Sequence, residues 1–293
     1  MDYWLGIGIQ ICIYIILVLS ANLTVGMANL MTMCQAAFYG IGAYVGAVLL
    51  KSDMELPFIA VALIVMLATG LSSLLVSLAS ARLKGDYFVL GTIGFQMVVY
   101  SILNNWENGI MMGSSGIDGI PRIKLLCQWG LYDDFDYLVF ALVMVVLVAY
   151  VLSRIQQSPY GRTLKAIRRD ELSAQALGRN VNKMKISAFF ISAAFSGLAG
   201  LIYASFIQRV NPDKFTLDTS VLILTALFIG GIGKRVWGPV LGAIVVVILP
   251  VLLRRVGLPQ LEADYLRPVI YGVGLVLLMY FRPQGLLGDE KLK

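Results

Sequence analysis

Apolar residues in this chain neither alternate with polar ones nor recur on a single helical face; they come in long unbroken runs. The stretch PFIAVALIVMLATGLSSLLVSLASA, beginning at Pro57, is typical. A run of about 20 apolar residues rising about 1.5 Å each crosses a hydrocarbon core of about 30 Å. Such runs fall at 4–21, 25–50, 57–80, 87–103, 136–152, 186–207, 219–233, 236–253 and 266–281. The pattern predicts an all-α polytopic membrane protein with about 8–10 transmembrane helices. A membrane β-barrel would show short segments of alternating hydrophobicity instead. The run at 25–50 is interrupted by Asn29, Gln35 and the glycines Gly26, Gly40, Gly42 and Gly46. Two half-helices lining a cavity are therefore an alternative to one span there.

One stretch breaks the pattern. Residues 162–180 read RTLKAIRRDELSAQALGRN and would pass for a surface helix of a soluble protein. If they form one helix, Leu164, Ile167, Glu171, Ala174 and Leu177 follow one another at steps of three or four and make a mostly apolar stripe. Gly178 stands where a helix ends in a left-handed residue, and Asn180 and Asn182 suit a turn into the next span. Two readings are open. The helix lies on anionic lipid with its basic face toward the headgroups. Or it docks into a groove of a soluble partner.

Charge then orients the chain. Only 14% of residues are charged and 59% are hydrophobic, whereas soluble domains carry about 25% charged residues. The segment 153–185 holds eight basic residues: Arg154, Arg162, Lys165, Arg168, Arg169, Arg179, Lys183 and Lys185. The segment 104–136 holds Arg122 and Lys124 against Glu107, Asp118, Asp133, Asp134 and Asp136. The positive-inside rule places the first in the cytoplasm and the second outside. Arg254 and Arg255 fall outside, against the rule. The outer loop is too long for a turn, so it packs as a lid or receives a partner.

Candidate chemistry narrows the function. The sequence contains no histidine, which excludes a Ser-His-Asp triad, a Cys-His pair, an HExxH zinc site and a histidine proton relay. The stretch GGIGK ending at Lys234 approaches a P-loop, but Phe228 replaces the first glycine and Arg235 the Ser or Thr. Cys12, Cys34 and Cys127 are scattered and suit packing. No catalytic residue, metal site or cofactor is expected, and nothing calls for nucleic acid. No ionisable residue lies well inside a span, which disfavours an ion-coupled secondary transporter. The uncharged amides Asn22, Asn29, Gln35, Gln96, Asn104 and Asn105 either bind the ends of a zwitterion or bond helix to helix. Three small-residue stripes (Gly42 and Gly46; Ser73, Ser77 and Ala81; Ser192, Ser196 and Gly200) suit close packing within the chain or between subunits.

Several segments together resemble one family. Residues 172–178 are similar to the EAA-type loop of bacterial ATP-binding-cassette importer permeases, with Ser173 and Ala174 in the motif, Gly178 four positions on, and the glutamate displaced to Glu171. ANLTVGMANLMTMCQAAFYGIGAYVGAVL, RLKGDYFVLGTIGFQMVVYSILNN, SPYGRTLKAIRRDELSAQALGRNV, FFISAAFSGLAGLIYASF, GGIGKRVWGPVLGA and FRPQGLLG resemble, in order, the LivM branch of branched-chain amino acid permeases. Cys34-Gln35 departs from the Gly-His typical of that branch, and residues 117–136 have no counterpart in it. The resemblance implies a single permease domain over 1–293 in the bacterial inner membrane, with a cytoplasmic coupling loop at about 153–185. It implies a second, LivH-like permease, two cytoplasmic ATP-binding-cassette ATPases that hydrolyse the ATP, and a soluble substrate-binding protein. Leu164, Ile167, Glu171, Ser173, Ala174, Leu177 and Gly178 would couple to the ATPases, and Asn22, Gln35, Gln96 and Asn104 would line the path. A permease for urea or short amides is the alternative.

Overall fold

The computed structural model describes residues 2–52, 56–80, 85–106, 113–123, 133–231 and 236–255, with a few positions beyond (269, 272–274 and 280). It is built almost wholly of helices: α1 (Asp2–Ala21), α2 (Gln35–Lys51), α3 (Phe58–Ser80), α4 (Asp86–Asn105), α5 (Asp134–Gln157), α6 (Pro159–Arg169), α7 (Glu171–Ala176), α8 (Val181–Ile207), α9 (Leu217–Gly230) and α10 (Trp237–Arg255). Among the described residues, five helical stretches are long and apolar enough to cross a membrane: Tyr3–Met27, Phe58–Ser77, Asp86–Asn105, Asp134–Gln157 and Val181–Ile207. The span expected at 266–281 lies outside the described residues but for single positions, as does Cys127.

The bundle forms around α8. Most of that helix is buried from Ala188 to Ser205, with α1, α2 and α3 against it. Small residues make this possible. A Cβ on Gly42 would collide with the backbone of Gly197, and one on Gly200 with the backbone at Tyr39 and Ala43. On the opposite side a Cβ on Gly197 would strike Thr69 of α3. The glycine and serine stripes of α2 and α8 therefore pack within this chain, as does the part of the α3 stripe that is described, Ser73 and Ser77.

The outer helices keep apolar side chains exposed at a four-residue repeat. Ile59, Leu63, Leu67, Leu71 and Leu75 do so on α3, and Val139, Val143 and Leu147 on α5. In water such faces would drive association. Against lipid tails they are the ordinary surface of a membrane helix.

The bundle has two distinct ends. At one end Gly8 of α1 faces Leu138 of α5, and the Tyr137 hydroxyl donates to the Ile202 carbonyl near the end of α8, 2.6 Å away. Here the described part of the long loop folds down. Ile117, Ile120 and Ile123 are buried, and β1 (Ile117–Asp118) pairs antiparallel with β2 (Arg209–Val210). Arg122 pairs with Asp134 at 2.8 Å and Arg209 with Asp118 at 2.9 Å. This portion packs as a cover. At the other end lie α6 and α7.

Two elements differ from expectation. The run at 25–50 is not one span. The first helix continues past Ala21 as a π-helix (Asn22–Met27), the chain breaks at 28–34, and α2 begins only at Gln35. Asn29 in the break takes a left-handed φ of 54°, a conformation that asparagine tolerates and most residues do not. Residues 162–177 are not one helix either. Asp170 is extended, with φ −154° and ψ 111°, and ends α6. Its carboxylate accepts from the amides of Leu172 (2.9 Å) and Ser173 (3.2 Å) and from the Ser173 hydroxyl. Aspartate competes well for such a cap and poorly for a place inside a helix.

Candidate functional site

The segment that reads as a soluble helix is a pair of short helices fastened at four points. Ser158 caps α6, its side chain accepting from Gly161 N, and Pro159 takes the first helical position, where its missing N–H costs nothing. Asp170 caps α7. Gly178, at φ 76°, closes α7: its N–H donates to Gln175 O at 2.9 Å and that of Arg179 to Ala174 O at 3.2 Å. This is the double bond of a Schellman ending. Asn180 Oδ1 then caps α8 by accepting from Lys183 N at 3.1 Å.

The structure divides the predicted coupling set. Leu164, Ile167 and Ala174 are buried in this chain: Leu164 joins the main core, while Ile167, Ala174 and Val181 form a small cluster against Met184. They are not free to enter a partner's groove. Glu171 is partly exposed and meets Lys185 of α8 at 2.7 Å. Ser173 and Gly178 are exposed. Leu177 does not continue the stripe: it is 81% exposed, and so is Leu172 at 76%, a residue the stripe did not include. Leu177 lies past the end of α7, at its C-cap, where no further helical turn carries the stripe on from Ala174. The legible signal of the break before α7 was Asp170 itself, a cap residue followed by a serine three positions on.

Asp170 is fully open to solvent, and the Ser173 hydroxyl and backbone hold its carboxyl below the usual carboxylate range. A depressed value means that the cap is intact above the ordinary carboxylate pKa and is lost as pH falls through the folded value. Asp170→Ala is therefore expected to speed hydrogen exchange at the Leu172 and Ser173 amides at neutral pH while leaving α8 unchanged. Equal protection in both proteins would contradict the capping role.

The four amides placed along the path are distributed differently. Gln35, at the head of α2, donates through Nε2 to Ser20 Oγ (2.8 Å) and Ser196 Oγ (2.5 Å), with Ser192 Oγ at 3.3 Å. The Ser20, Ser192 and Ser196 hydroxyls donate in turn to the carbonyls of Leu17, Ser20 and Ser192. Gln96 of α4 donates to Phe215 O at 2.7 Å and accepts from Ser220 at 3.3 Å. Asn22 is buried in the π-helix, and Asn104 is half-buried near the end of α4. Gln35 and Gln96 thus bond helix to helix. The serines of α8 that meet Gln35 could not be linked to it from sequence, since nothing there places residues more than 150 positions apart together.

One bond at this end was not foreseen. Arg168 of α6 donates through a terminal guanidinium nitrogen to the Gly26 carbonyl in the π-helix, 2.6 Å away.

Comparison with known proteins adds relatives to this geometry. The family described as branched-chain amino acid transport system / permease component matches residues 3–279. The high-affinity branched-chain amino acid transport system permease protein LivM of Escherichia coli K12 is 35% identical over 94% of this chain and 68% of its own length. A probable LivM of Methanocaldococcus jannaschii is 28% identical over 73% of this chain and 64% of its own. The fructose import permease protein FruG of Bifidobacterium longum is 25% identical over 97% and 77%. No solved structure matches.

Proposed function

From the premise that the chain belongs to the permease components of branched-chain amino acid transport systems, we propose that it is one permease subunit of an ATP-driven importer for leucine, isoleucine, valine or near relatives. The observation that carries this reading is the likeness to LivM over nearly the whole chain. The sugar permeases among its relatives are more distant. In this reading the protein is a multi-pass component of the bacterial inner membrane, a single permease domain over 1–293. It pairs with a second permease, and a soluble binding protein delivers the amino acid from outside. ATP is hydrolysed by two cytoplasmic ATPases, not by this chain.

The pair α6–α7, within the loop at about 153–185, is the coupling element. Its buried members, Leu164, Ile167 and Ala174, set the element on the bundle. Glu171 ties it to α8 through Lys185. Ser173, Leu177 and Gly178, with Leu172 added, form the surface an ATPase would meet. Exposed leucines in a segment that also exposes Arg169, Arg179 and Lys183 suit a partner with an apolar groove and an acidic rim. Of the amides expected along the path, Asn104 is partly open to the surface. Asn22, Gln35 and Gln96 are buried, and Gln35 and Gln96 bond together the helices that border the path.

Two measurements test this. Leu172→Asp with Leu177→Asp is expected to weaken retention of the ATPases on purification by about tenfold or more, with the permease still inserted. Undiminished retention would remove these residues from the docking surface. In the assembled complex, binding protein loaded with leucine, isoleucine or valine is expected to stimulate ATP hydrolysis. If only urea-loaded or sugar-loaded protein does so, the amino acid reading fails while the ATP-driven importer stands.

A further inference from the structure

The first helix and its π-helical end carry the chain to the α6–α7 end of the bundle. Residues 28–34 then turn back without regular structure, and α2 starts at Gln35 against Ser192 and Ser196, in the middle third of α8. Non-helical backbone therefore lies within the thickness that α8 spans. In a bilayer such backbone persists only where protein or water satisfies it. Protein satisfies part of it here: Leu30 N donates to Thr24 O and Met33 N to Thr92 Oγ1, each at 3.1 Å. The Thr32 hydroxyl is buried without a partner, while Asn29 and Met31 are exposed. The segment thus has one side against the bundle and one side open.

Both of its ends are anchored. Gln35 holds the far end among three serines. The near end follows Gly26, whose carbonyl takes the Arg168 guanidinium at 2.6 Å. The last carbonyls of a helix lack partners within it, and a cation there is also favoured by the helix dipole. The bond is charge-assisted and joins residues 142 positions apart. A π-turn holds more residues than an α-turn, so a pull on it shifts the register of whatever follows Met27.

We propose that Arg168 is a positioning residue of the transport cycle: it fastens the re-entrant segment 28–34 to the coupling helices, and that segment is the moving wall of the inner half of the path. The inference rests on the importer reading above. Arg168 does not touch the transported amino acid. It sets where Asn29 and Met31 stand, according to the position of α6.

The test uses the complete complex with its ATPases and binding protein in nanodiscs, carrying Met31→Cys and Cys127→Ser. Cys12 and Cys34 are buried, so a membrane-impermeant maleimide reports on position 31, with the Cys127→Ser protein alone as control. Trapping with ATP and vanadate is expected to change the labelling rate at position 31 by about fivefold or more. Adding Arg168→Met is expected to abolish that change and to lower transport per ATP by about tenfold, with the ATPases still bound. Arg168→Lys, which keeps one donor for the carbonyl, should restore part of both. Nucleotide-dependent labelling that persists in Arg168→Met, or full transport by it, would overturn the proposal. If the complex moves no branched-chain amino acid but labelling still follows nucleotide through Arg168, the substrate reading fails and the positioning role stands.

Discussion

Gly197→Leu will leave little or no folded protein in the membrane. Gly197 sits where three helices converge, touching the Gly42 backbone of α2 on one side and the Thr69 side chain of α3 on the other. A backbone neighbour cannot swing away as a side-chain tip can. Four added carbons must therefore push α2, α3 or both off α8. Overpacking costs about 3 kcal/mol or more when nothing can relax, and separating these helices also exposes their serines and threonine to lipid. Gly94→Leu supplies the contrast, since a Cβ there meets nothing within 4 Å and the position is exposed on α4. That variant should extract from membranes as a monodisperse peak with an unchanged melting temperature. If Gly197→Leu did the same, the three-helix contact would not be the centre of the fold.

Gln35→Glu is expected to be far more damaging than Gln35→Leu, although glutamate is nearly the same shape. The Ser20, Ser192 and Ser196 hydroxyls each lie within donating distance of a carbonyl, and those of Ser20 and Ser196 also bond each other, so their hydrogens already have acceptors and what these serines offer Gln35 is oxygen. An amide supplies two hydrogens to such a site, and an ionised carboxylate supplies none. Leucine forfeits the bonds, which costs about 1–3 kcal/mol. Glutamate also buries an unpaired charge, which costs several kcal/mol more. Lower pH protonates that carboxyl and gives it one hydrogen to donate, so the gap between the two variants should narrow as pH falls. Melting curves in detergent at neutral and acid pH check the order. Equal loss in both variants at neutral pH would mean that the serines reorient freely, and the site would not be the fixed network described.

The membrane class was legible because lipid imposes one requirement on every span. The runs at 57–80, 87–103, 136–152 and 186–207 correspond to α3, α4, α5 and α8, with the last two helices extending several residues into their polar flanks. Gly42, Gly197 and Gly200 show why the small-residue stripes were readable as packing but not as partners. Spacing marks a helix that can be approached, and only the fold supplies the helix that approaches it. The break after Met27 was half legible. Asn29 and the glycines flagged an interruption, but the π-helical extension of α1 and its bond from Arg168 to Gly26 join residues that sequence spacing does not link. Leu177 was misplaced for a local reason: a stripe drawn at 3.6 residues per turn assumes that the helix continues, and α7 ends at Ala176 with Gly178 closing it.

Asp170 also determines how a displacement would be shared out. An unbroken helix from Pro159 to Leu177 would tilt as one rod, and every contact along it would move in fixed proportion. One extended residue restores two soft dihedral angles between α6 and α7. On the α7 side the attachment is stiff, through the Schellman closure at Gly178, the cap at Asn180 and the Glu171–Lys185 pair. On the α6 side it passes through that joint before it reaches Arg168 and Gly26. A force at Leu172 and Leu177 is therefore delivered directly to α8, the central post of the bundle. It reaches the end of α1 only after the joint has taken up its angular play.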